Sequence, residues 1–230
     1  CINCGSCLNF CPVYAEVGGK YGYKYLGGRG LVFAAFHDAL KKSEENGLSL
    51  CIGCQRCHTA CPVQMATPEM LWKLRQNAVG QKGVGWKKDL VFSLLTKPKT
   101  LPMVSKLAAT FGKLALKEAD KGMKSRLTFN SFGLPQERTI PRFSGKSFME
   151  TAKPKPIAQP VKKVGFYPGC VVNYTETDLG EALLHVLGEN KVEVKLAQED
   201  VCCGIPSIVS GALDHAKAMA RQNIETYSSF

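Results

Sequence analysis

The apolar positions follow two regimes along the chain. Up to about residue 117 they recur at helical spacing; from residue 164 short alternating runs are interleaved with helical ones. Leu31, Val32, Ala35, Phe36 and Leu40 predict one helix over Arg29 to Asn46, with Gly47 at the C′ position. Thr67-Pro68-Glu69 predicts a helix start, with Thr67 as N-cap and Pro68 first in the helix. That helix should run to about Gln81, enclosing Leu71, Trp72, Leu74 and Ala78, and stop near Gly83. Two amphipathic patterns follow. The first sets Trp86, Leu90, Val91, Leu94 and Leu95 opposite Lys87 and Lys88. The second runs from about Pro102 to Lys117, with Val104, Leu107, Ala108, Phe111, Leu114 and Ala115 against Lys106, Lys113 and Lys117. Lys97-Pro98-Lys99 separates them.

Beyond a stretch without periodicity, residues 151–163 hold Pro154, Pro156 and Pro160 and predict an extended linker. Val164-Gly-Phe166-Tyr then predicts a buried strand, and Pro168-Gly169-Cys170 a turn at its end. Thr177 to Leu187 is the next helix, closed by Gly188. Val192, Val194 and Leu196 alternate as a second strand. Val201 to Pro206 forms a loop before a helix from about Ala212 to Tyr227. This βαβα order places both cysteine-bearing loops at one edge of a parallel sheet, where such folds hold ligands. The predicted organisation is residues 1–83, a connector over 84–150, the linker 151–163, and a terminal module over 164–230.

The chemistry lies in two matching runs. Cys1-Ile-Asn-Cys4-Gly-Ser-Cys7-Leu-Asn-Phe-Cys11-Pro12 is echoed by Cys51-Ile-Gly-Cys54-Gln-Arg-Cys57-His-Thr-Ala-Cys61-Pro62. Both follow C-x2-C-x2-C-x3-C-P, the spacing that holds [4Fe-4S] clusters in two-cluster ferredoxins, where the fourth Cys serves the other cluster. That wiring assigns one cluster to Cys1, Cys4, Cys7 and Cys61, and the second to Cys51, Cys54, Cys57 and Cys11. Zinc would leave the third Cys and the Cys-Pro unused, and disulfides would not produce a repeated spacing. His58 lies between two ligands and is expected to support one from behind or to face solvent. Gly18-Gly19, Gly22 and Gly27-Gly28 with Tyr21, Tyr23 and Tyr25 predict a loop between the runs, its tyrosines packing rather than carrying radicals. In the terminal module, vicinal Cys202-Cys203 before Gly204 and opposite Cys170 point to a further metal site, with buried structural thiols as the alternative.

Composition narrows the picture. Eight of the 11 cysteines lie in the two runs, which implies a compartment where thiols stay reduced. No apolar run approaches the roughly eighteen residues of a membrane span. Residues 84–126 carry 10 basic against 3 acidic side chains, and residues 164–230 carry 4 against 9. A basic amphipathic helix suits a membrane interface, or its apolar face can close a core or meet a sister subunit. No recognition motif accompanies the charge, so nucleic acid is not an expected partner. The chain opens on Cys1 and stops at Phe230 on what reads as a helix, and is expected to be a piece of a longer polypeptide.

These residues carry a resemblance. The first domain is similar to α-helical ferredoxins. Cys170, followed after 31 residues by Cys202-Cys203-Gly204, resembles the first three-quarters of the cysteine-rich CCG domain. The whole chain resembles the family that joins a two-cluster ferredoxin to a CCG domain. That family includes the iron–sulfur subunit of anaerobic glycerol-3-phosphate dehydrogenase, glycolate oxidase iron–sulfur subunits, lactate-utilisation proteins and heterodisulfide reductase subunits. Tyr167-Pro-Gly-Cys170-Val-Val-Asn173-Tyr174 and Cys202-Cys-Gly-Ile-Pro-Ser-Ile-Val-Ser-Gly211 are most similar to the glycerol-3-phosphate type, while the insertion at 18–28 departs from it. The resemblance implies an α+β chain, an α-helical ferredoxin domain followed by an α/β CCG domain. It implies that Cys170, Cys202 and Cys203 hold a third cluster, cubane or non-cubane, or perform thiol–disulfide chemistry, with a completing Cys-x-x-Cys past Phe230. It implies electron transfer from a flavoprotein dehydrogenase for glycerol 3-phosphate, lactate or glycolate toward a quinone. A cytoplasmic protein, peripheral on the inner membrane or on a membrane subunit, is the expected setting. A heterodisulfide reductase-like role, with the CCG site reducing a disulfide, is the alternative.

Overall fold

The computed structural model describes residues 1–98, 100–120, 124–127, 139–197 and 201–228, with side chains excepted at 111–120, 124–127 and 139–141. Short helices α1 (Ser6–Asn9) and α2 (Pro12–Val17) lead through a 3₁₀ turn into a hairpin of β1 (Gly22–Tyr23) and β2 (Tyr25–Leu26). Then come α3 (Gly27–His37), α4 (Leu40–Glu45), a 3₁₀ turn (Leu48–Leu50), α5 (Arg56–Thr59), α6 (Thr67–Lys82) and α7 (Trp86–Leu95). Helix α8 (Thr100–Ala115) precedes β3 (Leu116–Asp120), β4 (Lys124–Leu127), β5 (Thr139–Pro141) and α9 (Phe148–Thr151). The terminal part holds β6 (Lys162–Phe166), α10 (Gly169–Tyr174), α11 (Thr177–Glu189), β7 (Val192–Leu196), α12 (Ile205–Val209) and α13 (Leu213–Tyr227). Two compact units result: Cys1–Phe92 with Gly204–Lys217, and Ser93–Cys203 with Ala218–Phe230.

In the first unit the buried core is Tyr21, Leu31, Leu48, Leu71 and Leu74, and Cys11 and Cys51 pack directly against it. The expected Arg29–Asn46 helix is two helices. Ala39 takes an extended conformation (φ −168°, ψ 158°) and breaks it after His37. The buried face of α3 is Gly27, Gly30, Leu31 and Ala34, so Phe36, expected inside, is 80% exposed. The glycines bring α3 onto the hairpin backbone: a Cβ on Gly30 would lie 1.5 Å from the Tyr25 carbonyl oxygen. The glycine–tyrosine stretch expected as a loop is largely this hairpin, with Gly22 at φ +120°.

Helix α6 follows its expected course, with Leu71, Leu74 and Ala78 buried and Gly83 (φ +76°) closing it. Its N-cap, however, is Ala66; Thr67 is already helical. On α7 the apolar stripe faces out. Trp86 is 75% and Leu90 55% exposed, with Val91 and Leu94 beside them, while Phe92 is buried. The helix is steadied instead by Asp89, 2.8 Å from the His215 Nε2.

In the second unit α8 ends at Ala115, two residues short of the expected Lys117. The side chains of Phe111, Lys113, Leu114, Ala115 and Lys117 lie outside the described residues, as does Lys99. The connector, expected to be helical, includes an antiparallel sheet with β4 between β3 and β5. Ser147 and Glu150 form a capping box on α9, where Glu150 also pairs with Lys106. Strands β6 and β7 pair in parallel, from Lys162 opposite Val192 to Phe166 opposite Leu196, with α10 and α11 between them in sequence. The expected α/β order is present in this small sheet. Val201, Cys202, Met219 and Leu95 pack together beside it. Among the described residues, no helix is long and apolar enough to cross a membrane.

Gly30→Ala should destabilise the first unit by about 3 kcal/mol or more, at the upper end of overpacking costs, because backbone rather than a movable side chain opposes the new methyl. Urea unfolding of the variant against the parent measures it.

Candidate iron–sulfur centres

The two cysteine runs fold alike. Asn3 (φ 59°) and Gly5 (φ 75°) in the first, and Gly53 (φ 68°) and Gln55 (φ 62°) in the second, take left-handed conformations at equivalent places. Such residues flanking a cysteine curl the backbone and turn N–H groups inward, the geometry of an anion-binding nest. Each loop ends in one helical turn, α1 or α5, that carries the third cysteine, Cys7 or Cys57. The Ser6 hydroxyl donates to the Ala60 carbonyl at 3.0 Å, tying the first loop to the residue before Cys61. Cys11 is the N-cap of α2, with Pro12 inside the first turn, and its sulfur accepts the Tyr14 N–H at 3.4 Å.

The loops enclose two cavities. One is lined by Cys1, Cys4, Cys7, Cys57 and Cys61. The other is lined by Cys7, Cys11, Cys51, Cys54 and Cys57. Each cavity thus meets cysteines of both runs, and the third cysteines, Cys7 and Cys57, line both.

The electrostatics are those of a site that needs a cation. Burial, and then the neighbouring Cys51, Cys54, Cys11 and Cys7, push the Cys57 thiol up to about 11. Burial likewise raises Cys7, against the lowering effect of the Arg29 guanidinium. Cys61 is shifted the other way, chiefly by the backbone N–H of Met65, with Val63 and Gln64 adding to it. Backbone N–H donation to Cys51 comes from Gly53 at 3.4 Å. The Arg29 Nη1 lies 3.5 Å from the Cys1 sulfur, while its buried Nε has no partner on a residue that lines both cavities. Four thiols crowded together, ringed by N–H donors and holding an unsatisfied donor, suit a cluster with acceptor sulfides. No group of three or more Cys, His, Asp or Glu among the described residues is arranged to hold a single metal ion.

His58 turns to the backbone, its Nδ1 3.0 Å from the Met65 carbonyl, and so braces the loop after Cys61. Two residues beside the second cavity have roles that cysteine spacing does not reveal. Tyr21, 2% exposed, belongs to the core against which Cys51 packs and lines the same cavity, and its hydroxyl is pushed up by burial and then by the Cys51 thiolate. Arg75, 6% exposed, donates from Nε to the Leu48 carbonyl at 2.8 Å and from Nη2 to the Cys51 carbonyl at 2.7 Å. The available signal for Arg75 is its place on the Leu71–Leu74–Ala78 face, where a cation is out of pattern.

In the terminal module Cys170 opens α10 just past β6, and Cys202 and Cys203 precede Gly204 (φ 82°). Cys202 is buried, Cys170 half-buried and Cys203 exposed. A hydrogen bond from Cys202 is the main cause that brings Cys170 down to about 7, against burial and the Cys203 thiol. The loop is pinned by residues outside the motif. The Tyr167 hydroxyl donates to the Val201 carbonyl at 2.5 Å, and Asn223 accepts the Val201 N–H at 2.9 Å and donates to the Cys202 carbonyl at 3.2 Å.

Paired thiol cavities followed by a cysteine-bearing α/β module define an iron–sulfur protein of two joined modules. The comparisons agree: residues 1–65 match the 4Fe-4S dicluster domain and residues 164–229 the cysteine-rich domain. The chain is 28% identical to one of the subunits of a CoM/CoB fumarate reductase from Methanothermobacter marburgensis, over 97% of this chain and 38% of that protein. It is 24% identical to a probable glycolate oxidase iron–sulfur subunit from Bacillus subtilis, over 100% of this chain and 54% of that protein. To one of the subunits of anaerobic glycerol-3-phosphate dehydrogenase from Escherichia coli it is 34% identical, over 40% of this chain and 24% of that protein. The chain therefore spans between about a third and a half of the length of the first two relatives. No solved structure gives a significant match.

In reduced, metal-free protein, Cys170 alkylation should rise with pH through about 7 instead of the ordinary thiol range near 9, since its thiolate is favoured. Cys202→Ala should move that midpoint upward. Mass-resolved iodoacetamide labelling across pH measures both.

Proposed function

We propose that this chain is the electron-transfer part of an oxidoreductase, taking electrons from a flavoprotein dehydrogenase and passing them toward a quinone or another acceptor. The observation that carries the reading is the pair of adjacent cavities, each lined by cysteines of both runs. Cys1, Cys4, Cys7 and Cys61 would hold one [4Fe-4S] cluster, and Cys51, Cys54, Cys57 and Cys11 the other. Each cluster supplies a one-electron carrier when bound. The chain's own residues favour the Cys61 thiolate through backbone N–H groups and exclude water with the Tyr21–Leu71 core. Cys7 and Cys57 line both cavities and form a shared wall for an electron to cross.

The substrate class belongs to the partner. Relatives named for glycolate oxidase and glycerol-3-phosphate dehydrogenase favour a small hydroxylated acid or phosphate ester. Cys170, Cys202 and Cys203 would hold a third cluster, cubane or non-cubane, completed by a further ligand. The hydrogen-bonded Cys170–Cys202 pair favours a second reading, in which this site reduces a disulfide as heterodisulfide reductases do. Two electrons from the clusters and two protons would then yield two thiols. The outward apolar stripe of α7, flanked by Lys87 and Lys88, supports a peripheral site on the cytoplasmic face of the inner membrane, or on a membrane subunit.

Iron analysis and low-temperature EPR test the wiring. Cys61→Ala should cost the first cluster and keep the second, so that iron falls by about four per chain. Loss of the second cluster's signal instead would reverse the assignment, and stoichiometric zinc in the parent would end it. For the membrane surface, Leu90→Glu with Leu94→Glu should reduce co-sedimentation with vesicles containing anionic lipid. Pelleting equal to the parent's would sink the idea.

A further inference from the structure

Arg75 is a buried cation whose position asks for a counter-charge. Its guanidinium is held by carbonyl oxygens of Leu48, Cys51 and Val209, and among the described residues no carboxylate pairs with it. Carbonyl dipoles satisfy its N–H donors but leave its charge, and a buried unpaired charge is expensive. What lies beside it is Cys51, to whose carbonyl it bonds directly, and Tyr21, in the buried core against which Cys51 packs and on the wall of the same cavity. A [4Fe-4S] core with four thiolates is net negative, and becomes more so when the core goes from 2+ to 1+ by taking up one electron.

We infer that Arg75 and Tyr21 are positioning residues that raise the reduction potential of the second cluster. Arg75 does so as its buried counter-cation, and Tyr21, on the wall of that cluster's cavity, as an O–H donor toward the cluster's sulfurs. Both effects favour the reduced state because it carries the extra negative charge, and low local dielectric enlarges them. The guanidinium cannot lose its proton in the accessible range, so this bias is constant with pH. The second cluster thereby becomes the better electron acceptor relative to its value without the two residues. The arginine of the first cluster, Arg29, reaches Cys1 from a partly solvated position. Its effect is more screened by water.

This inference rests on the two-cluster reading, and one experiment separates their failures. The clustered protein is titrated with dithionite, the electron donor, while EPR follows the two one-electron steps in the parent, Tyr21→Phe, Arg75→Gln and Arg75→Lys. In Tyr21→Phe and Arg75→Gln one midpoint potential should fall and the other hold; Arg75→Lys, which keeps the charge, should fall less than Arg75→Gln. A parent without two steps overturns the two-cluster reading itself. A parent with both steps, and unshifted midpoints in Tyr21→Phe or in iron-replete Arg75→Gln, overturns this inference alone. If Arg75→Gln loses iron, Tyr21→Phe decides by itself, since a phenyl ring keeps the core packing and removes only the hydroxyl.

Discussion

Bringing thiolates together is the constraint from which the first unit follows. Sulfur anions repel, and burial penalises each of them; Cys57 shows both effects in its raised pKa. The chain answers with positive electrostatic features that need no acidic counterpart. Left-handed residues at 3, 5, 53 and 55 aim backbone N–H groups inward, α2 presents its N-terminus to Cys11, and Arg29 and Arg75 add full charges. A cradle shaped for anions gains stability when a bound metal neutralises them.

The same economy shapes the packing around the cradle. Close approach of α3 to its hairpin, through Gly27 and Gly30, sets Tyr21 and Leu31 in one core with Leu48 and Leu71. That core is the dry side of Cys11 and Cys51. In the terminal module, Tyr167 and Asn223 do comparable work from outside the motif. They hold the Val201–Cys202 backbone at the end of a two-stranded parallel sheet so that Cys202 meets Cys170.

Much of this was legible in the sequence because it is written in spacing. The repeated cysteine run, the α6 stop at Gly83 and the parallel β6–β7 order are local patterns with local causes. The break at Asp38-Ala39 was hidden because Leu40 continues the apolar period across it. Phe36 was misplaced because periodicity counts large side chains, whereas α3 packs on its glycines. The outward stripe of α7 is indistinguishable from an inward one until a partner surface is present. Arg75 stood on an apolar face in plain view, but its meaning depends on three carbonyls brought together only by the fold.

One of those carbonyls belongs to Val209, 134 positions beyond Arg75. Ribosomes add about 5–20 residues per second, so both cysteine runs emerge on the order of ten seconds before the segment that completes the Arg75 clasp. A nascent chain can therefore display all eight cysteines of the two runs while Arg75 still lacks one of its carbonyl partners. Synthesis thus runs ahead of the contact: the buried arginine is made long before the last carbonyl that holds it.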